Sequence, residues 1–158
     1  MYDKTHGFQA AKEPKGFTLV ELIIVITVLS ILAMFAVPQW VSLQNHARAA
    51  VMEGIKTAMT ASANFVYAKS LIEEQEFYSS GKVIVNGNAI DTVYGFPAEH
   101  EILGLIELVH EKFDITTNRG IVAYKGVSTP KLCQVDYNPP VRPGDQPTIH
   151  MSGALNCE

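Results

Sequence analysis

The chain has 158 residues, 47% of them hydrophobic and 18% charged, which suits one domain of ordinary size with a modest core and excludes collagen-like, fibrous and wholly disordered classes. Twelve Lys and Arg stand against sixteen Asp and Glu for a net charge of −4. With no basic cluster to neutralise several phosphates, a nucleic-acid partner is excluded.

The charge is unevenly spread, because Glu21 is the only charged residue between Phe17 and Asn45. At about 1.5 Å per helical residue, Phe17 to Val37 spans roughly 31 Å, close to the ~30 Å hydrocarbon core of a bilayer. A cleaved secretory signal wants a shorter apolar region and a small-x-small end, whereas Ile31-Leu32-Ala33 and Met34-Phe35-Ala36 each place a large side chain where a small one is required. A buried core helix would show a polar face, yet Leu22 to Leu32 is apolar nearly all round. The segment therefore reads as a membrane-spanning helix. Lys4, Lys12 and Lys15 precede it and the first base beyond it is Arg48, so the amino end is expected in the cytoplasm and the rest exported. In that oxidising compartment Cys133 and Cys157 suit a disulfide, two free thiols being the alternative. Closing a loop of about 25 residues would stabilise the fold by roughly 3 kcal/mol in the chain-entropy account.

Glu21 is the anomaly, since an acid inside such a segment costs on the order of 2.5 to 3.5 kcal/mol. No Lys, Arg or His lies within a helical turn of it on the apolar side. A cut before Phe17 would create a partner, because the new α-amine has a pKa of about 8 and carries positive charge at neutral pH. The amine of a neighbouring copy serves equally well, which makes a buried Glu beside a free N-terminus a register device for self-assembly. The other reading is an interfacial Glu reaching the headgroups.

Lys15-Gly16-Phe17-Thr18-Leu19-Val20-Glu21, with the apolar run behind it, resembles the prepilin cleavage and methylation motif of type IV pilins and type II secretion pseudopilins. The resemblance implies that a prepilin peptidase cuts between Gly16 and Phe17 and N-methylates Phe17. It also implies that Glu21 is the acid at the fifth mature position and acts in assembly, and that residues 1–16 are a leader, longer than in the simplest members. Pro38 matches a helix-kinking proline of such proteins, a kink that its missing N–H predicts independently.

Beyond the span the pattern turns one-sided. Val51, Ile55, Ala58, Met59, Ser62, Phe65, Val66 and Ile72 recur at mostly three- and four-residue steps, so Phe17 to about Ile72 is expected as one helix. Its alanine-rich stretch Ala47 to Ala68 permits close approach of neighbouring helices. Next come a hairpin of Lys82 to Val85 and Asn88 to Ile90 around Asn86-Gly87, a short helix over Ala98 to Val109, and strands over Gly120 to Lys125, Lys131 to Tyr137 and Thr148 to Met151. Asn138 to Pro147, with four prolines, must be a loop. The expected class is α+β: a long kinked N-terminal helix with an apolar protruding half, packed on an antiparallel sheet headpiece with a disulfide-closed C-terminal loop. The corresponding division is leader 1–16, membrane and filament-core helix 17–45, and exported globular domain 46–158.

Within pilins the chain resembles the mannose-sensitive haemagglutinin type, through Arg48-Ala49-Ala50, Val93 to Pro97, and the late pair Cys133 and Cys157. This implies a homopolymeric surface pilus subunit for attachment to surfaces, first held in the inner membrane, with platform, assembly ATPase and secretin partners and a receptor that the sequence leaves open. A type II secretion pseudopilin is the alternative, and a membrane-tethered exported enzyme or binding module a more distant one. No nucleophile elbow, P-loop, CxxC or His-Glu-x-x-His occurs, and His100-Glu101 lacks the second His, Gly104 standing in its place. Glu107, His110 and Glu111 on one helical surface read as a solvated face before a zinc site, and Asp136 and Asp145 offer too few oxygens for calcium. Tyr94, Phe96, Tyr124 and Tyr137 read as packing residues before sugar-stacking ones. No catalytic residue, cofactor or metal is expected.

Overall fold

A computed structural model describes residues 16–108, 111–116, 119–152 and 157. The expected leader lies almost wholly outside these residues. The chain divides into two compact units, Met1–Trp40 and Val41–Glu158. The helix α1, Leu19–Ile72, has residues in both.

In the first unit α1 carries the apolar run, and every residue from Phe17 to Trp40 is exposed. Length and composition suffice for it to cross a membrane. Thr27 and Ser30, the hydroxyl residues of the run, donate to the carbonyls of Ile24 (2.8 Å) and Ile26 (2.7 Å), so neither hydroxyl needs a partner from its surroundings. Pro38 lies inside the helix.

In the second unit α1 buries Met52, Ile55, Met59, Ala63, Val66 and Ser70, one stripe at three- and four-residue steps. The sequence pattern had placed the face differently: Val51, Ala58, Phe65 and Ile72 are exposed. This half of α1 carries more apolar surface than the sheets cover, so periodicity alone did not separate the buried stripe from the one beside it.

Two antiparallel sheets replace the one expected. The first joins β1 (Gly81–Val85), β2 (Asn88–Val93) and the two-residue β3 (Phe96–Pro97) in that order. Asn86 and Gly87 connect β1 to β2, with φ of 48° and 82°, as the hairpin dipeptide predicts. The second sheet runs β4 (Phe113–Thr116), β5 (Ile121–Tyr124), β6 (Gln134–Asn138) and β7 (Thr148–Met151). The helix expected over Ala98 to Val109 is instead one 3₁₀ turn, Ile102–Leu105. Ile102 and Leu103 are both buried, and Ile106 leaves in extended conformation, which ends the helical spacing after one turn. Consequently Glu107 and Glu111 share no helical surface, and His110 lies outside the described residues. The start expected for β6 forms another 3₁₀ turn, Pro130–Leu132.

The main core gathers Met52, Ile55 and Met59 of α1 with Ile102, Phe113, Val122, Val135, Tyr137 and the two cysteines, while Val66, Val83, Val85 and Ile90 form a second cluster. Fully burying each such side chain contributes roughly 1.5 to 3 kcal/mol. The aromatics serve this packing: Phe96 stacks on Tyr67 at 4.3 Å, Phe113 meets Tyr124 edge-on at 5.5 Å, and the buried Tyr137 hydroxyl donates to the Pro97 carbonyl at 2.9 Å.

Candidate functional site

The start of α1 is built by its own side chains. Gly16, Phe17 and Thr18 are non-helical and exposed, and a Cβ placed on Gly16 would meet nothing within 4 Å. The Gly16–Phe17 bond is thus open backbone directly before a helix. Thr18 caps that helix: the Glu21 backbone N–H donates to its hydroxyl at 3.2 Å. In return the backbone N–H and hydroxyl of Thr18 both donate to Glu21 Oε2 at 2.8 Å. This is a capping box, in which a Thr and the Glu three residues later satisfy each other's exposed donors.

The box changes the account of Glu21. Charge considerations had left the acid without a partner, whereas two hydrogen bonds from Thr18 already hold one of its oxygens. Thr18 was missed because only charged partners were sought; the signal was the Thr-x-x-Glu spacing ahead of an apolar run. Both donors belong to Thr18 itself, so a cut between Gly16 and Phe17 leaves the box whole and adds an α-amine one residue away.

In the second unit the late cysteines form a disulfide with a Cα–Cα distance of 5.0 Å. Cys133 immediately precedes β6 and Cys157 follows β7, so the bridge closes the end of the chain over the four-stranded sheet. Arg48 of α1 donates to the Cys157 carbonyl at 2.8 Å, and its guanidinium lies 5.8 Å from the centre of the Tyr124 ring. It joins helix, sheet and bridged terminus at one point. The segment Val93 to Pro97 is a tight hairpin with Tyr94 and Gly95 at φ of 49° and 82°. Gly95 lies so close to α1 that a Cβ there would strike the Ser70 hydroxyl and come within 3.0 Å of the Glu76 backbone.

The sequence matches the prokaryotic N-terminal methylation motif over residues 12–37. Comparisons with curated proteins and with solved structures return no significant match. The matched residues include the open Gly16–Phe17 bond, the capping box and most of the apolar run. A long N-terminal helix, antiparallel sheets and a Cys133–Cys157 disulfide accompany the motif.

Proposed function

We propose that this chain, a type IV pilin-like prepilin by its methylation motif and fold, is a structural subunit of an adhesive pilus of the mannose-sensitive haemagglutinin type. The observation that carries the reading is the methylation motif set on a capped helix start, with a fully exposed apolar helix behind it. A surface of that kind is stable in lipid or against copies of itself, so leaving the membrane must be coupled to packing into a filament.

In this reading prepilin peptidase hydrolyses the Gly16–Phe17 bond, releases residues 1–16 and methylates the new α-amine of Phe17. The amine stays cationic, and the Glu21 oxygen that Thr18 does not use is free to pair with it or with the amine of an incoming copy. That pair offsets the cost of an acid among apolar side chains and fixes the register of one helix against the next. Residues 17–45 form the filament core with Pro38 kinking the helix, and residues 46–158 face outward. The exposed stripe of α1 that includes Val51, Gly54, Ala58 and Ala61 is small-sided and suits close helix neighbours. Platform, assembly ATPase and secretin are the partners of this route, the inner membrane holds the precursor, and the filament lies outside the cell. No catalytic turnover is assigned to the chain. The disulfide-closed C-terminus favours a pilus over a type II secretion pseudopilus.

Intact mass and N-terminal sequencing of material sheared from the native cell test the proposal. The expected chain begins at N-methylated Phe17 with its disulfide intact and is abundant in filaments. An uncut chain held in the membrane overturns the prepilin reading, and a processed chain absent from surface filaments overturns the pilus in favour of the secretion system.

A further inference from the structure

Away from the cap and the bridge, three side chains of the second unit converge on one point. His100 Nε2 lies 3.5 Å from Asp91 Oδ2 and 3.5 Å from Glu101 Oε1, and one ligand atom from each of the three falls within 4.8 Å of the others. The backbone imposes this meeting: the Ala98 N–H donates to the Asp91 carbonyl at 2.8 Å, and the Glu101 N–H donates to the Ala98 carbonyl at 2.9 Å. The chain leaving β3 is thereby folded back on β2.

We propose that Asp91, His100 and Glu101 form a divalent-cation site on the surface of the sheet unit, with zinc the best-fitting ion. Two donors each about 2.1 Å from a tetrahedral zinc lie about 3.4 Å apart, which both 3.5 Å separations already match. The third pair of ligand atoms, one from each carboxylate, lies within 4.8 Å, and a bound ion would draw the two together. One imidazole nitrogen and two carboxylate oxygens suit zinc, whereas calcium takes six to eight oxygens and magnesium a near-regular oxygen octahedron. Side-chain exposures of 41% for Asp91 and 51% for His100 leave water free to complete the coordination. Lys82, opposite Asp91 in the β1–β2 register, binds the other oxygen, Oδ1, at 3.1 Å. It therefore leaves Oδ2 to the ion and orients the carboxylate from outside the coordination sphere. An ion here would tie β2 to the 3₁₀ turn at Ile102–Leu105, whose buried residues enter the core.

The test is calorimetric titration of zinc chloride into the full chain in detergent, stripped of metal by chelator beforehand. One zinc per chain is expected, with His100→Gln and Asp91→Asn each weakening affinity at least about tenfold and His150→Gln leaving it unchanged. Site-resolved carbethoxylation of the unaltered chain gives a reading independent of variant folding. His100 should be protected at lower zinc than His46 and His150. No saturable binding, affinity unmoved by His100→Gln, or protection of all three histidines at the same zinc concentration would reduce the cluster to a surface ion-pair network and overturn the site.

Discussion

Thr18 supplies three hydrogen bonds at the beginning of α1, two given and one received. Replacing it with Ala keeps its backbone donor and removes both bonds of the hydroxyl, at a cost of about 1 kcal/mol for a lost cap. Amide exchange of the full chain in detergent should show faster exchange at Glu21 and Leu22 in Thr18→Ala and near-native rates in Thr18→Ser. Equal rates in all three would remove the cap from the account of Glu21. A second residue works through its burial. Tyr137 is fully buried, and desolvation holds its hydroxyl well above the usual phenol range. The unfolded chain ionises this phenol near pH 10 while the folded chain keeps it protonated. Its contribution is therefore complete below about pH 10 and is lost as pH rises beyond that, at up to about 1.4 kcal/mol per pH unit. Tyr137→Phe should lower stability by about 1 to 2 kcal/mol at neutral pH, because the Pro97 carbonyl loses its buried donor. The gap between variant and parent, followed by thermal unfolding, should narrow above pH 10; a constant gap would show that this phenol does not titrate with unfolding.

Among the elements, those announced by local chemistry were legible in the sequence and those fixed by distant packing were not. Asn86-Gly87 dictates a two-residue turn, and the apolar run with its following periodicity gives α1 almost to the residue. β3 is two residues long and contains Pro97, which strand rules discount; it survives because β3 lies at the edge of its sheet, where a missing N–H costs nothing. β4, Phe113–Thr116, offers two periods of alternation, too few to stand out beside Glu111 and Lys112. The segment around Ile102–Leu105 has helical spacing, but Ile106 is extended and stops the helix after one 3₁₀ turn, with Ile102 and Leu103 both drawn into the core. The Val93–Pro97 hairpin was noticed only as a likeness, and the structure gives its physical content in Gly95, which needs a positive φ and has no room for a side chain. Gly95→Ala should cost about 2 kcal/mol or more, measured as a fall in the unfolding midpoint, whereas Gly126→Ala, equally positive in φ but with open space around it, should cost less. The disulfide was inferred from compartment, and its consequence belongs to this scale as well. Cys133 and Cys157 enclose a sequence separation of 24, so their joint replacement by Ser should lower stability by about 3 kcal/mol, checked by denaturant unfolding.

For the molecule as a whole, the decisive quantity is the apolar surface of residues 17–43, which nothing among the described residues covers. In the proposed function lipid covers it before assembly and copies of the same helix cover it afterwards, and Glu21 is the polar group to be satisfied in both settings. The capping box and the charge pair make separable demands on that side chain. A cap asks for an acceptor at the third helical position, which an amide oxygen supplies as well as a carboxylate; a pair with the Phe17 amine asks for negative charge. Glu21→Gln therefore keeps the helix start and removes the charge, whereas Glu21→Leu removes both. If assembly rests on the charge pair, Glu21→Gln should be cut and methylated at Phe17 like the parent, accumulate in the membrane, and yield at most about a tenth of the sheared filament, the loss that 1.4 kcal/mol at one register contact produces. Thr18→Ala, which weakens the cap and spares the charge, should still assemble. Filament yields that fall in Thr18→Ala and hold in Glu21→Gln would assign the acid to the cap alone, and the register of neighbouring helices would then rest on apolar packing and on the small residues between Ala47 and Ala68.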